Sequence, residues 1–256
     1  MQPREYDIMY DLETTYWWHC GMRSIMEELI GNTISPGSKL LDVGCGTGAR
    51  LKALGRHCDP WGVDFHPRAV ELCRSRGLKN VELGDARNLP FRDESFSHVV
   101  CCDVLTTLDD DLAAMKEAYR VLSPGGIFYS TEQAYPRLRT QHDVSQWAVR
   151  RYSKHHFISL LKTAGFQLDR VTFANTIMFP ALALYRLVSK TLKPPSKVDP
   201  EHAHSDLYEL PLPINSALRR VLELESRIIA KRNLPFGLTL IAVASKPEKE
   251  SRPEKT

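Results

Sequence analysis

Between residues 39 and 175, short apolar runs alternate with segments whose apolar residues recur roughly every three to four positions. The runs Lys39–Val43, Trp61–Asp64, Val81–Leu83, His98–Val104 and Gly126–Thr131 have the length and composition of buried strands. A helix is expected from Pro67, whose fixed φ suits a first helical turn, to near Gly77. Another opens at the acidic run Asp109–Asp111, which complements the positive end of a helix dipole. A third starts at Ser153, sets Phe157, Leu160, Leu161 and Ala164 on one face and stops at Gly165. The stretch "FQLDRVTFAN" then reads as a strand. This alternation predicts a parallel sheet with helices on both faces.

The alternation stops there. Residues 176–193 read as helix, 194–213 are rich in proline and polar residues, and 214–232 read as helix again. In the second helix Leu218, Val221, Leu222, Ile228 and Ile229 make one apolar face. "GLTLIAVAS" is a final strand, and the charged "KPEKESRPEKT" predicts a disordered tail.

Composition narrows the function classes. Apolar residues are 43%, charged residues 25% and the net charge is +3, with the basic residues dispersed, so a dedicated nucleic-acid binder is not expected. Cysteines 20, 45, 58, 73, 101 and 102 contain no C-x-x-C pair. Neither a metal site nor a disulfide framework is predicted, and reduced thiols fit a cytoplasmic protein. The first residues, "MQPREYDIMYDLE", lack an apolar signal core, and "TIMFPALALYRLV" is too short to span a bilayer and holds Pro180 and Arg186.

The stretch "LLDVGCGTG" carries the chemistry. Glycines at 44, 46 and 48 after a strand let the backbone approach a ligand, and the following helix N-terminus offers free N–H groups. About twenty residues on, Asp64 ends the next strand, where a carboxylate can take ribose hydroxyls. Both NAD and S-adenosylmethionine meet that description. Asp42, Asp64, Asp85 and Asp103 sit at or near strand ends, an acidic rim that repels a pyrophosphate and attracts a sulfonium and an ammonium. The spacing G-x-G-x-G also departs from the dinucleotide pattern. S-adenosylmethionine is the expected ligand.

"LLDVGCGTG", "GVDFHPRAVELC", "GDARNLPFRDESFSHVVCCDVL" and "EAYRVLSPGGIFYST" closely resemble the successive motifs of class I S-adenosylmethionine-dependent methyltransferases. The resemblance implies a Rossmann-like, seven-stranded, mostly parallel sheet whose last strand, Gly237–Ser245, runs antiparallel. It also implies site roles. Gly44, Cys45, Gly46 and Gly48 would pass along the methionine part, with Asp42 orienting loop amides. Asp64 would bind the ribose and Phe65 would lie beside the adenine. Asp85 and Ala86 would meet adenine nitrogens, and Cys102 and Asp103 would line the methionine end. The chain then divides into an N-terminal helical lid segment (1–37), the cofactor-binding core (38–175), a helical insertion (176–235), the last core strand (236–246) and the tail (247–256).

"YWWHCGMR", "HDVSQWAVRRYSKHHF" and "LPFGLTLIAVA" resemble segments of a bacterial subgroup of that family. The chain departs from the subgroup at Ala148 and Thr107, where histidines are expected. For deprotonating an acceptor hydroxyl, His142 with Asp143 beside it is the leading base candidate and His19 the second. Arg23 is a candidate clamp for the cofactor carboxylate, Trp17 and Trp18 read as lid packing, and Arg150 and Arg151 as a solvated helix start. Cys45 reads as a small residue chosen for fit. The expected acceptor is a small, apolar-leaning molecule, methylated on oxygen before nitrogen or carbon; a cofactor-binding scaffold without catalysis is the rival. The insertion is expected to cap the acceptor end, with a homodimer contact or membrane-surface attachment as alternatives; a monomer and a homodimer both remain open.

Overall fold

The computed structural model describes residues 3–192 and 209–249. The linker expected around 194–213 and the tail from 247 therefore fall largely outside the described residues. The described residues form a seven-stranded sheet in the order β3-β2-β1-β4-β5-β7-β6. Its strands are β1 Lys39–Val43, β2 Asp59–Asp64, β3 Val81–Leu83, β4 Phe96–Cys102, β5 Leu122–Gln133, β6 Gln167–Ala174 and β7 Thr239–Ser245. The first five pair in parallel, and β7 runs antiparallel between β5 and β6, with Tyr129 opposite Val243 and Phe173 opposite Leu240. Strand β4 ends at Cys102, two residues before the expected limit, because Asp103 adopts a left-handed φ of 57° that turns the chain off the sheet.

Alternation along the strands builds the two layers of core. Leu41, Val99 and Phe128 face a cluster completed by Phe157 and Leu161 of helix α7 (Lys154–Ala164) and Met115 of α5 (Asp111–Val121). Their neighbours Leu40, Val100 and Tyr129 face the other way, onto Ile25 and Met26 of α2 (Trp17–Ile30) and Ile229 of α9 (Leu212–Lys231). The helix starts follow the sequence closely: Asp110 caps α5 by accepting from Ala113 N–H, and Ser153 caps α7 by accepting from His156 N–H.

The remaining helices are α1 Pro3–Leu12, α3 Ala49–Leu54, α4 Pro67–Ser75, the short α6 Gln141–Ser145 and α8 Phe179–Leu192. No described helix is long and apolar enough to cross a membrane. The insertion's second helix, α9, does not stand apart from the core. It lies along α2, and Trp17 N–H donates to Asn215 Oδ1 at 2.9 Å. Gly21 is the point of closest approach: a Cβ there would fall 2.4 Å from Leu222 Cδ1 and 2.5 Å from Leu222 Cβ.

Gly21→Ala should therefore force the α2–α9 pair apart and cost about 1–3 kcal/mol, the usual range for overpacking. Urea denaturation reads the change; an unaltered midpoint would mean that the two helices yield at no cost.

Candidate active site

The order of the sheet fixes where a site can form. The chain builds outward from β1 to β3, then returns to β4 on the other side of β1, leaving a crevice at the carboxyl ends of β1 and β4. A cavity of about 1230 Å³ occupies that crevice. Its floor includes Gly44 and Gly46 after β1, Asp64 and Phe65 after β2, Asp85 and Ala86 after β3, and Cys102 and Asp103 after β4. Cys45 lines it too, and so do Arg23 and His19 from α2. Most of the residues singled out from the sequence thus converge on one cavity.

Two do not reach the wall. Asp42 is fully buried beneath the loop, where its Oδ2 accepts from Arg50 Nε at 2.9 Å. It holds a cation, not the loop amides. Gly48 has a φ of 87°, and a Cβ there would fall 2.4 Å from Leu78 and 2.8 Å from Cys73 Sγ, so its bareness serves packing against α4.

The amides of the glycine loop itself, ahead of the helix N-terminus, are engaged. Gly44 and Cys45 N–H both donate to Val63 O, at 2.8 and 3.1 Å, Gly46 N–H donates to Asp64 Oδ2 at 2.9 Å, and Gly48 N–H donates to Cys45 O at 3.2 Å. A pyrophosphate needs such donors, so their use by β2 and by the loop itself argues against a dinucleotide more directly than charge does. The charge argument weakens correspondingly. Asp42 is paired with Arg50, and Asp85 is chelated by Arg87, whose guanidinium holds the carboxyl below its ordinary range. Asp64 and Asp103 are the two members of the expected rim with no arginine ion pair among the described residues. Burial raises both carboxyls, Asp103 to about 6 with Arg50 opposing the rise.

The N-terminal segment closes over this end. Tyr6 on α1 places its hydroxyl 3.5 Å from Asp64 Oδ1, and Met9 Cε lies where a Cβ on Gly46 would fall, 2.8 Å from it. Arg76 ties the segment down. Its Nε donates to Thr47 O at 2.7 Å, its Nη2 to Tyr10 O at 2.6 Å and to Glu13 Oε1 at 2.7 Å. Glu13 accepts in turn from the Thr47 hydroxyl.

Away from the loop the lining becomes apolar, with Leu182, Leu210, Leu218 and Leu238 among its residues. Several buried polar atoms of cavity-lining residues have no hydrogen-bond partner among the described residues: Trp17 Nε1, His19 Nε2, Tyr129 Oη, Gln133 Oε1, Gln146 Nε2 and Asn175 Oδ1. Such atoms are costly unless a ligand or water meets them. Sequence reasoning missed Tyr129, Gln133, Asn175 and Arg50. Only Arg50 left a signal, a cation in the first turn of the helix that follows the glycines. Glu132 was missed as well, although an acid inside an apolar strand is itself a flag. It accepts from Leu105 and Thr106 N–H at 3.0 Å each and fixes the turn after β4.

The proposed bases fare differently. His19 lies in the cavity wall, where burial, aided by Arg50 and Arg23, pushes it down to about 4; it is neutral at physiological pH. His142 is on α6, and its side chain lies outside the described residues. Asp143, its expected orienter, is fully buried, accepts from Arg151 Nε at 2.6 Å and from Thr140 N–H at 2.7 Å, and has Arg186 3.5 Å away. Arg151 is likewise buried, and Arg150 pairs with Asp111 at 2.8 Å, so neither marks a solvated helix start. Cys45 is as inert as expected: its Sγ lies 4.0 Å from Cys73 Sγ, and that contact with burial raises its thiol.

Residues 41–130 match the family described as Methyltransferase domain. Over those residues the chain is similar to a methyltransferase domain, and its sheet has the fold of S-adenosylmethionine-dependent methyltransferases. The demethylmenaquinone methyltransferase of Staphylococcus haemolyticus is 40% identical over 113 residues, 41% of this chain and 47% of that protein. The chain thus spans about half the length of the curated relatives it matches. A S-adenosylmethionine-dependent methyltransferase of Thermotoga maritima is 18% identical, with a TM-score of 0.55 over 95% of each chain. A Haemonchus contortus phosphoethanolamine N-methyltransferase solved with S-adenosylmethionine is 22% identical, with a TM-score of 0.53 over 84% of this chain and 50% of that one. These two structures share the methyltransferase fold seen here.

Asp143→Ala should act on stability. It would leave Arg151 buried with its carboxylate partner gone, at a cost of about 3–5 kcal/mol. Thermal denaturation tests this; a variant that melts like the wild type would put Asp143 back beside His142 as an orienter.

Proposed function

We propose that this methyltransferase-family chain moves the methyl group of S-adenosylmethionine to a small, largely apolar acceptor, on oxygen before nitrogen or carbon. One observation carries the reading: a single cavity runs from Asp64 and the glycine loop to an apolar end, and its volume of about 1230 Å³ is larger than one small ligand requires. Small-molecule sites are usually about 300–1,000 Å³, so there is room for a nucleoside and an acceptor together.

The residues fit the cofactor. Asp64 is a buried carboxylate held in place by Gly46 and His66 N–H, with Oδ1 turned to a hydroxyl, that of Tyr6. It would take the ribose. Asp103 would face the ammonium, and Arg23 and Arg50 the carboxylate of the methionine part. When bound, S-adenosylmethionine supplies a methyl group on an electrophilic sulfonium, so the protein's part is alignment and exclusion of water. Trp17 and the α1 helix would exclude water, and Gln133, Gln146 and Asn175 would orient the acceptor through their unpartnered atoms. The curated relatives are named for a demethylmenaquinone, which supports an apolar acceptor here.

The scaffold reading draws on His19, which as a weak base gives little help with proton removal. Turnover of S-adenosylmethionine to S-adenosylhomocysteine with candidate acceptors decides between the two. If His142 is the base, His142→Ala should lower that turnover by about 10²–10⁴.

Asp64→Ala should weaken S-adenosylhomocysteine binding by roughly 1.5–3 kcal/mol through lost charge-assisted hydrogen bonds. Calorimetric titration is the measurement, and an unchanged dissociation constant in the folded variant would remove Asp64 from the site.

Binding should also depend on pH. Asp103 loses its proton near pH 6 in the folded chain, and a cationic ammonium favours the ionised form. Affinity should therefore be full above pH 7 and fall by up to about tenfold per unit below 6. Asp103→Asn should flatten the profile. A flat wild-type profile from pH 5 to 7.5 would place the ammonium elsewhere.

A further inference from the structure

Three non-glycine residues of the cavity wall have a left-handed backbone: Asp103, Trp147 and Asn175, with φ of 57°, 58° and 60°. Asp and Asn take that conformation readily, because a short polar side chain can bond locally. A tryptophan does not. Here it is held from both sides. Trp147 N–H donates to Val144 O at 3.0 Å, Ala148 N–H to Asp143 O at 2.8 Å and Val149 N–H to Thr106 O at 2.8 Å, while Arg139 Nη2 donates to Ala148 O at 2.8 Å. Asp143 is itself anchored on Arg151. The chain leaving α6 is thus a rigid tongue. What it fixes is an indole that is 54% exposed, lines the cavity and joins neither layer of the core. Beside it, Gln146 has its amide nitrogen buried with no hydrogen-bond partner among the described residues. Such a donor costs free energy until an acceptor atom meets it.

We propose that Trp147 is a stacking platform for a planar aromatic acceptor, with Gln146 donating to an oxygen carried by its ring. This rests on the methyl-transfer reading above and gives the chemical class of the acceptor. Ring is favoured over chain by what the position costs. Apolar contact alone needs no tryptophan, since a leucine on unstrained backbone supplies it, and the apolar end already has Leu182, Leu210, Leu218 and Leu238. An indole held at a fixed angle adds a flat face with a quadrupole, which favours a second flat ring in offset or edge contact. Backbone strain kept at a wall position belongs with a group that must point one way. The nucleoside side repeats the arrangement. Phe65, 73% exposed, follows β2 and lines the same cavity. The wall thus offers one exposed ring on the side proposed for the purine and another for the acceptor.

Calorimetric titration of 1-naphthol and of decahydro-1-naphthol into the full chain, with and without saturating S-adenosylhomocysteine, is the test. The two share a carbon skeleton and a hydroxyl, and only the first is flat. The wild type should bind naphthol about tenfold more tightly than its saturated counterpart, the size of one aromatic contact. Trp147→Leu should remove that preference, and Trp147→Phe should keep most of it. Trp147→Gly serves if the leucine variant fails to fold, because glycine relieves the left-handed backbone; it should melt close to the wild type and still lose the preference. Gln146→Leu should weaken both alcohols about fivefold, since both carry the oxygen. A wild type that binds the two alcohols equally, or neither, overturns the proposal. So does a leucine or glycine variant that keeps the preference, and so does a Trp147→Gly chain that melts far below the wild type, which would make the ring a packing element. Unchanged binding in Gln146→Leu overturns the part given to Gln146. S-adenosylhomocysteine binding without a naphthol preference overturns the platform and leaves methyl transfer standing. A Trp147-dependent preference in a chain that does not bind S-adenosylhomocysteine overturns methyl transfer and leaves the platform standing.

Discussion

Everything at the site depends on how the chain leaves β1. After Val43 the backbone turns with left-handed φ values at Gly44 and Gly46, and three successive amides bond back to the end of β2. A side chain at position 44 is excluded twice over, by that φ and by Val104 Cγ2, which lies 2.2 Å from where a Cβ would sit. The turn thus joins the ends of β1, β2 and β4 into one rigid corner. Asp64 is aimed by the same bonds, because its Oδ2 accepts from Gly46 N–H while Oδ1 accepts from His66 N–H and meets the Tyr6 hydroxyl. The glycines serve first to let the loop lock onto β2, and the ligand surface follows from that.

Electrostatics then sorts the carboxylates into two kinds. Asp42, Asp85 and Asp143 are held by arginines and act as structural anchors; their charge is largely cancelled where a ligand would sit. Asp64 is buried and Asp103 partly so, neither with such a partner among the described residues, and desolvation raises both. A folded chain that keeps such groups ionised at neutral pH gives up stability to do so, since the unfolded chain ionises them freely. Sites that bear this cost commonly bind a cation or a polyol that relieves it. The contrast between paired and unpaired acids therefore locates the site more sharply than the acidic rim as a whole.

The fold was largely legible because its signals are local. Ser153, Asp110, Pro67 and Gly165 each mark a helix boundary through the chemistry of their own side chain or φ, and the strands announce themselves as apolar runs. The glycine-loop half of the cavity wall was legible as well, since its residues follow strand ends in chain order. What escaped was non-local. Arg151 looked solvated because nothing in "AVRRYS" reveals that Asp143, eight residues earlier, is turned inward to meet it. Gln133 and Asn175 became site residues only when β5, β7 and β6 were laid side by side. Gly48 and Gly46 look identical in sequence, yet one contacts α4 and the other the cavity.

The same division explains what family resemblance carries and what it does not. The matched residues, 41–130, supply the glycine loop, Asp64, Asp85 and Asp103, the side of the cavity proposed for the nucleoside. Trp17 and His19 precede that span; Gln133, Gln146, Asn175, Leu182 and Leu218 follow it. On the proposed reading, acceptor choice would therefore lie in α2, in the ends of β5 and β6, and in the insertion helices, parts that a relative sharing only the core need not share. The insertion is bound to that task physically, because α9 packs along α2 at Gly21 and α8 closes the apolar end with Leu182. Changing the insertion would thus reshape the acceptor pocket and leave the corner formed by Gly44, Gly46 and Asp64 intact, which is how one cofactor scaffold can serve many acceptors.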